Sequence, residues 1–173
     1  MKLLCAAAFA LGLTACASTS VEQYRAETPV LDLKTYFNGT LDAWGMFQGR
    51  SGEVKKRFRV VIDARWDGDT GVLDERFTWS DGTTSTRIWT LKRQPDGSFR
   101  GRADDVIGEA VGEVAGNALR WRYVLALPVD DKIYHVDFDD WMFLMDDKVM
   151  LNRSFMSKWG FRLGEVTLTF VKR

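Results

Sequence analysis

From about residue 40 onward the hydrophobic positions of the chain recur with a period of two. In "KKRFRVVIDARW" (residues 55–66), Phe58, Val60, Ile62, Ala64 and Trp66 fall on one face. Arg57, Arg59, Asp63 and Arg65 fall on the other, as in a half-buried strand. Similar segments recur near 41–48, 71–80, 84–93, 98–103, 105–115, 118–127, 133–145, 148–158 and 161–172, with turn chemistry such as "DGDTG", "SDGT", "PDGS" and "AGN" between them. About ten antiparallel strands result, and their connections are too short for crossover helices. A meander of this length must close or split, because an open sheet would leave unpaired edges. The expected fold is therefore all-β: a single up-and-down antiparallel β-barrel of about ten strands, like a lipocalin or fatty-acid-binding protein. A β-sandwich is the alternative. Ahead of the strands, "VLDLKTYFNG" (30–39) has helical spacing stopped by Asn38 and Gly39 and predicts a short helix or turn.

The turns also predict registers. A two-residue turn at Gly116 and Asn117 places Ala115 opposite Ala118, Gly112 opposite Trp121, Ala110 opposite Tyr123 and Gly108 opposite Leu125. On the reverse face it sets Glu113 against Arg120. A two-residue turn at Asp146 and Asp147 pairs Met145 with Lys148, and therefore Asp140 with Arg153. Val136, Phe138, Met142 and Leu144 then share the face of Asp140, as does Tyr134, while Val149, Leu151, Phe155 and Trp159 share that of Arg153. A third two-residue turn, at Trp159 and Gly160, adds Val166, Leu168 and Phe170 to this interior. One acid would then oppose one base in an otherwise apolar lumen. The other face, with Asp139, Trp141 and Phe143 against Met150, Asn152, Ser154 and Met156, is mixed. It calls for a covering element, either the 30–38 segment or the lipid-bearing surface.

The first residues change the picture of where this barrel works. Met1 and Lys2 precede "LLCAAAFALGL", an apolar run of signal-peptide rather than membrane-span length. "LTAC" (Leu13 to Cys16) follows it directly and has the form of a bacterial lipobox. The expected organisation is a lipoprotein signal peptide at 1–15, a lipidated flexible tether at 16–29 and the barrel at 30–173. Lipidation is expected at Cys16, and multiple acyl chains make such an anchor effectively permanent, since each buried CH₂ contributes about 0.8 kcal/mol. Ala17 after the cysteine favours the outer membrane over the inner. The only other cysteine, Cys5, lies in the leader, so the mature domain has no thiol for a disulfide or a metal. The 173-residue chain carries 24 basic and 24 acidic residues, which gives no electrostatic case for nucleic acid.

The chemistry-bearing residues point to binding rather than to catalysis. His135 is the sole histidine, no "GxSxG" occurs and no phosphate-binding loop is present, so nucleophilic catalysis lacks a base. His135, Asp137 and Asp139 alternate along one strand, but neighbours on that face stand about 7 Å apart and no second histidine completes a zinc set. No metal or cofactor is expected. The acid pairs at 104–105, 130–131 and 146–147 fall at predicted turns, where Asp is favoured locally. The candidate ligand-binding residues are Arg153 and Asp140 with the aromatic side chains of Trp121, Tyr123, Phe138 and Phe155.

The lipobox together with "YFNGTLDAWGMFQGR", "GNALRWRY", "FDDWMFL" and "LNRSFMSKWGFRLGEVTL" resembles a bacterial lipoprotein family catalogued as domain of unknown function 3833. The resemblance covers nearly all of the chain after the tether. It implies a lipocalin-like barrel in the envelope of Gram-negative bacteria and transfers no catalytic residue. Two readings follow. In the first, a barrel anchored to the periplasmic face of the outer membrane carries a fatty acid or other lipid, with Arg153 at its headgroup. In the second, a filled barrel presents a face with Trp141, Met150 and Met156 to an envelope protein.

Overall fold

The computed structural model describes residues 19–173. Lipidation at Cys16 and the leader lie outside the described residues. Ten strands follow one another in sequence: β1 (Gly39–Gly49), β2 (Val54–Asp67), β3 (Thr70–Trp79), β4 (Thr84–Arg93), β5 (Phe99–Arg102), β6 (Val106–Ala115), β7 (Ala118–Val129), β8 (Lys132–Leu144), β9 (Val149–Lys158) and β10 (Phe161–Lys172). Each pairs antiparallel with its neighbours, and β10 returns to β1, so the sheet closes into a barrel without a free edge. The up-and-down topology predicted from the period of two is the one observed.

The predicted short helix is α1 (Leu33–Tyr36), capped by Asp32 Oδ1, which accepts from the Thr35 amide at 2.6 Å. Its apolar residues explain its place. Leu31, Leu33, Tyr36 and Phe37 are buried in the main core, where Phe37 meets Phe170 edge to face. The Trp66 indole donates to the Phe37 carbonyl at 2.7 Å and ties the plug to β2. One end of the barrel is therefore stoppered by the chain's own N-terminal segment.

Residues 19–29, part of the stretch expected as a tether, lie along the outer wall. A 3₁₀ turn at Val21–Tyr24 buries Val21 against Ala115, Ala118 and Trp141. Tyr24 meets Trp141 and Phe143 edge to face, with ring centroids 6.0 and 5.0 Å apart. The covering element for that mixed face is thus this turn and not the 30–38 segment. Gly116 makes the approach possible, for its φ is +55° and a Cβ there would overlap the Tyr24 backbone.

Two of the three predicted turn registers hold at the turn itself. Ala115 faces Ala118, Gly112 faces Trp121 and Glu113 faces Arg120, although the side chains re-pair: Arg122 takes Glu113 and Arg120 takes Asp139. Further along, Ala110 and Gly108 do not follow the register. Gly108 to Ala110 form a bulge between Ile107, opposite Val124, and Val111, opposite Arg122. Gly108 occupies it with φ +72°, and Val106 rather than Gly108 comes to face Leu125.

The register at the β8–β9 hairpin is corrected. Asp140 pairs with Ser154, and Arg153 pairs with Trp141. The loop has three residues: Met145 N–H donates to the Val149 carbonyl, and Asp146 Oδ1 accepts from the amides of Lys148 and Val149 at 2.8 Å. The Asp146 side chain closes a wider turn than the two-residue one expected. A one-residue slip turns every β9 side chain to the opposite face. Met150, Asn152, Ser154 and Met156 point inward and are buried, while Leu151, Arg153 and Phe155 point outward. A second irregularity between Arg162 and Gly164 cancels the first, so Val166, Leu168 and Phe170 line the interior as expected.

Candidate functional site

The barrel encloses a cavity of about 660 Å³ that begins at the α1 plug, with Leu33 and Phe37, and reaches Lys56, Trp79 and Pro128 toward the opposite end. Its inner surface is what the alternation of the strands dictates. Val60 and Ile62 come from β2, Leu73 and Phe77 from β3, Trp89 and Leu91 from β4, and Trp121, Tyr123 and Leu125 from β7. Glycines under the large rings set the shape of the wall. A Cβ on Gly112 would lie 2.5 Å from the Trp121 ring, and Gly101 gives the same ring clearance from β5. Trp121 therefore lies against the wall instead of filling the lumen. Trp89 meets Trp121 and Tyr123 edge to face, and Tyr123 stacks on Phe138 at 5.0 Å. Half-exposed Phe58, Phe77 and Trp79 pack together at the other end of the cavity.

A polar group is set into this wall at mid-height. Asp140 on β8, with Asn152 and Ser154 on β9, is 7% exposed, against 4% and 3% for its neighbours. All three line the cavity. Asp140 Oδ1, Asn152 Nδ2 and Ser154 Oγ are buried without a hydrogen-bond partner among the described residues. Native interiors leave few such atoms, since each costs about 1–3 kcal/mol when unsatisfied. Burial pushes the Asp140 carboxyl up to about 7. The Ser154 and Tyr123 hydroxyls stand close enough to favour the ionised form, and the Arg87 charge does the same, but burial outweighs them.

Across the lumen, Glu75 on β3 faces Arg87 on β4, and its carboxyl is likewise lifted by burial to about 7. Arg87 grips both oxygens of Asp105, with Nε donating to Oδ1 at 3.1 Å and Nη2 donating to Oδ2 at 2.7 Å. Asp105, expected to serve only its turn, thus carries the interior base. Neither Glu75 nor Arg87 had been singled out, although each is in strand phase with lumen residues: Glu75 with Leu73 and Phe77, Arg87 with Trp89 and Leu91.

Of the residues singled out from the sequence, Asp140, Trp121, Tyr123 and Phe138 line one cavity. Arg153 and Phe155 do not. Arg153, with its side chain 57% exposed, donates to Glu165 Oε2 at 2.9 and 2.8 Å and lies over the Phe155 ring on the outer wall. The expected Asp140–Arg153 contact is replaced by Asp140 beside Ser154, and the interior guanidinium is that of Arg87. Asp139 faces outward, where Arg120 holds it at 2.7 and 2.8 Å. Among the described residues no cluster of metal-ligating side chains occurs.

A closed ten-stranded antiparallel barrel with an N-terminal plug and a lined cavity is a lipocalin-like barrel. The chain belongs to the family described as a protein of unknown function (DUF3833), which it matches over residues 10–172. No curated protein matches it. Among solved structures it is similar to the S-type phycobiliprotein lyase CPES from Guillardia theta, with a TM-score of 0.53 and 8% identity over 80% of this chain and 89% of that one. It is also similar to a de novo designed fluorescence-activating β-barrel, with a TM-score of 0.45 and 14% identity over 83% and 99%. A third similar structure is EF1p2_mFAP2b bound to DFHBI, with a TM-score of 0.45 and 8% identity over 88% and 99%. At these identities the likeness is one of fold.

Proposed function

We propose that this protein is a lipid-anchored barrel on the periplasmic face of the outer membrane that binds and carries one elongated lipid-like molecule in its lumen. The observation that carries the reading is a cavity of about 660 Å³ whose wall is mostly aromatic and aliphatic but holds three unpartnered polar atoms, on Asp140, Asn152 and Ser154. Ligand sites typically have this character and a volume of about 300–1,000 Å³. An apolar body lies against the rings, and the orphaned atoms fix one polar group. A barrel serving only as a structural part would gain stability by filling that space, since voids in cores cost free energy. The second reading also loses its surface, because Met150 and Met156 point inward and Tyr24 covers Trp141. The anchor is supported by "LTAC" and by Ala17.

Native mass spectrometry of the full chain, purified from its own envelope in mild detergent, tests both halves. The expected result is an acylated polypeptide carrying one additional small molecule, and a Cys16→Ser variant that loses the acylation but keeps that cargo. A bare mass that also takes up no added apolar fluorophore would overturn the carrier reading. An unmodified Cys16 would overturn the anchor.

A further inference from the structure

The charges around the cavity decide what kind of head the ligand has. The cavity lining contains two cations, and each already has a carboxylate partner: Lys56 lies 2.9 Å from Asp81, and Arg87 is held bidentately by Asp105. The two remaining lining acids, Glu75 and Asp140, form no ion pair among the described residues, and Asp140 is more than nine-tenths buried. An entering carboxylate would find no free cation. It would add a negative charge to a low-dielectric lumen that already holds three carboxyl groups. The open valences are of another kind. Asn152 Nδ2 is a donor that needs an acceptor, Asp140 Oδ1 and Ser154 Oγ need partners too, and all three lie on two adjacent, paired strands.

We infer that the cavity selects an amphiphile whose head is uncharged and both donates and accepts hydrogen bonds, such as a hydroxyl or a carboxamide, and that it discriminates against fatty-acid carboxylates. This rests on the carrier reading above and narrows its ligand class. The head lodges at Asp140, Asn152 and Ser154, and the chain extends along Trp121 and Tyr123. The elevated pKa of Asp140 supports this, because a carboxyl that keeps its proton near neutrality can donate to the ligand as well as accept. Its charged and titratable surroundings are Arg87, Glu75 and Asp105 across the lumen, Tyr123 on the adjoining strand and outward-facing Asp139 on its own.

The test uses probes of one chain length and different heads: lauramide, lauryl alcohol, laurylammonium and laurate, titrated into delipidated full-length protein at about pH 6, where laurate is ionised and Asp140 keeps its proton. Trp89 and Trp121 in the wall provide the fluorescence signal. Lauramide and lauryl alcohol should bind at least about tenfold more tightly than laurate, a specificity set by unpaired charge against the wrong ligand. In Ser154→Ala, which leaves the wall packed, lauramide should lose about tenfold while laurate changes little. Laurate or laurylammonium binding best, or all four binding alike, would overturn the inference while leaving the carrier reading standing. No binding by any of the four would overturn both.

Discussion

Replacing Asp140 by Asn removes an ionisable group while keeping the size and shape of the side chain. In the folded protein burial raises the Asp140 carboxyl from 3.8 to about 7, and in the unfolded chain it returns to the ordinary value. Between about pH 4 and pH 7 the folded state therefore holds a proton that the unfolded state lacks. Stability linked to this group is complete below the ordinary carboxyl pKa and is lost as the pH rises through the folded value. At about 1.4 kcal/mol per pH unit, the whole span amounts to about 4 kcal/mol, and about 3 kcal/mol of it falls above pH 5. Urea unfolding of delipidated protein, followed by tryptophan fluorescence at about pH 5 and pH 8, reads it directly. The variant should gain about 3 kcal/mol relative to the wild type between those two pH values. Glu75 titrates in the same range in both proteins, so it largely cancels from the difference. Parallel pH profiles for the two proteins would refute the placement of Asp140 in a dry wall.

Three further substitutions probe the architecture. Gly112→Ala puts a methyl group into the Trp121 ring and should cost about 1–3 kcal/mol in urea unfolding, with a shifted tryptophan emission as the ring moves into the lumen; an unchanged spectrum would contradict the packing. Gly116→Ala should lift the 19–29 segment from the outer wall, so that limited proteolysis cleaves near Tyr24 while the barrel's circular dichroism persists; resistance equal to wild type would argue against that docking. Arg153→Leu removes a partly exposed ion pair and the guanidinium over Phe155 and should change stability by less than about 1 kcal/mol, whereas Arg87→Leu leaves half-buried Asp105 without its cation and should cost more, about 1–2 kcal/mol. Equal effects would mean that the two guanidinium groups have been assigned to the wrong faces.

The strands, their order and their closure were legible because a period of two, repeated with Gly- and Asp-rich turns, leaves one economical way to bury the apolar face. The face presented by β9 was not. Its two alternating sets, Val149, Leu151 and Phe155 against Met150 and Met156, are similarly apolar, so hydrophobicity does not choose between them. The choice fell to loop length, and loop length was decided by one side chain, Asp146, bonding two backbone amides. The outward position of Arg153 follows from that one extra loop residue. The interior of β10 survived because the irregularity near Leu163 restores the phase. Asp140 was correctly placed inside from β8 alone, where Val136, Phe138, Met142 and Leu144 leave no ambiguity. Glu75 and Arg87 were legible in principle by the same alternation, but Asp105 was not. It lies in a connection, and only the closed barrel brings it to Arg87.

Everything proposed for this protein depends on the lumen holding a molecule. The most direct test is a crystal structure of the protein purified from its own envelope without delipidation. The expected result is continuous electron density for one elongated molecule along Trp121 and Tyr123, with a polar end within hydrogen-bonding distance of Asp140, Asn152 or Ser154. A lumen closed by side chains, or one holding only ordered water on those three residues, would contradict it.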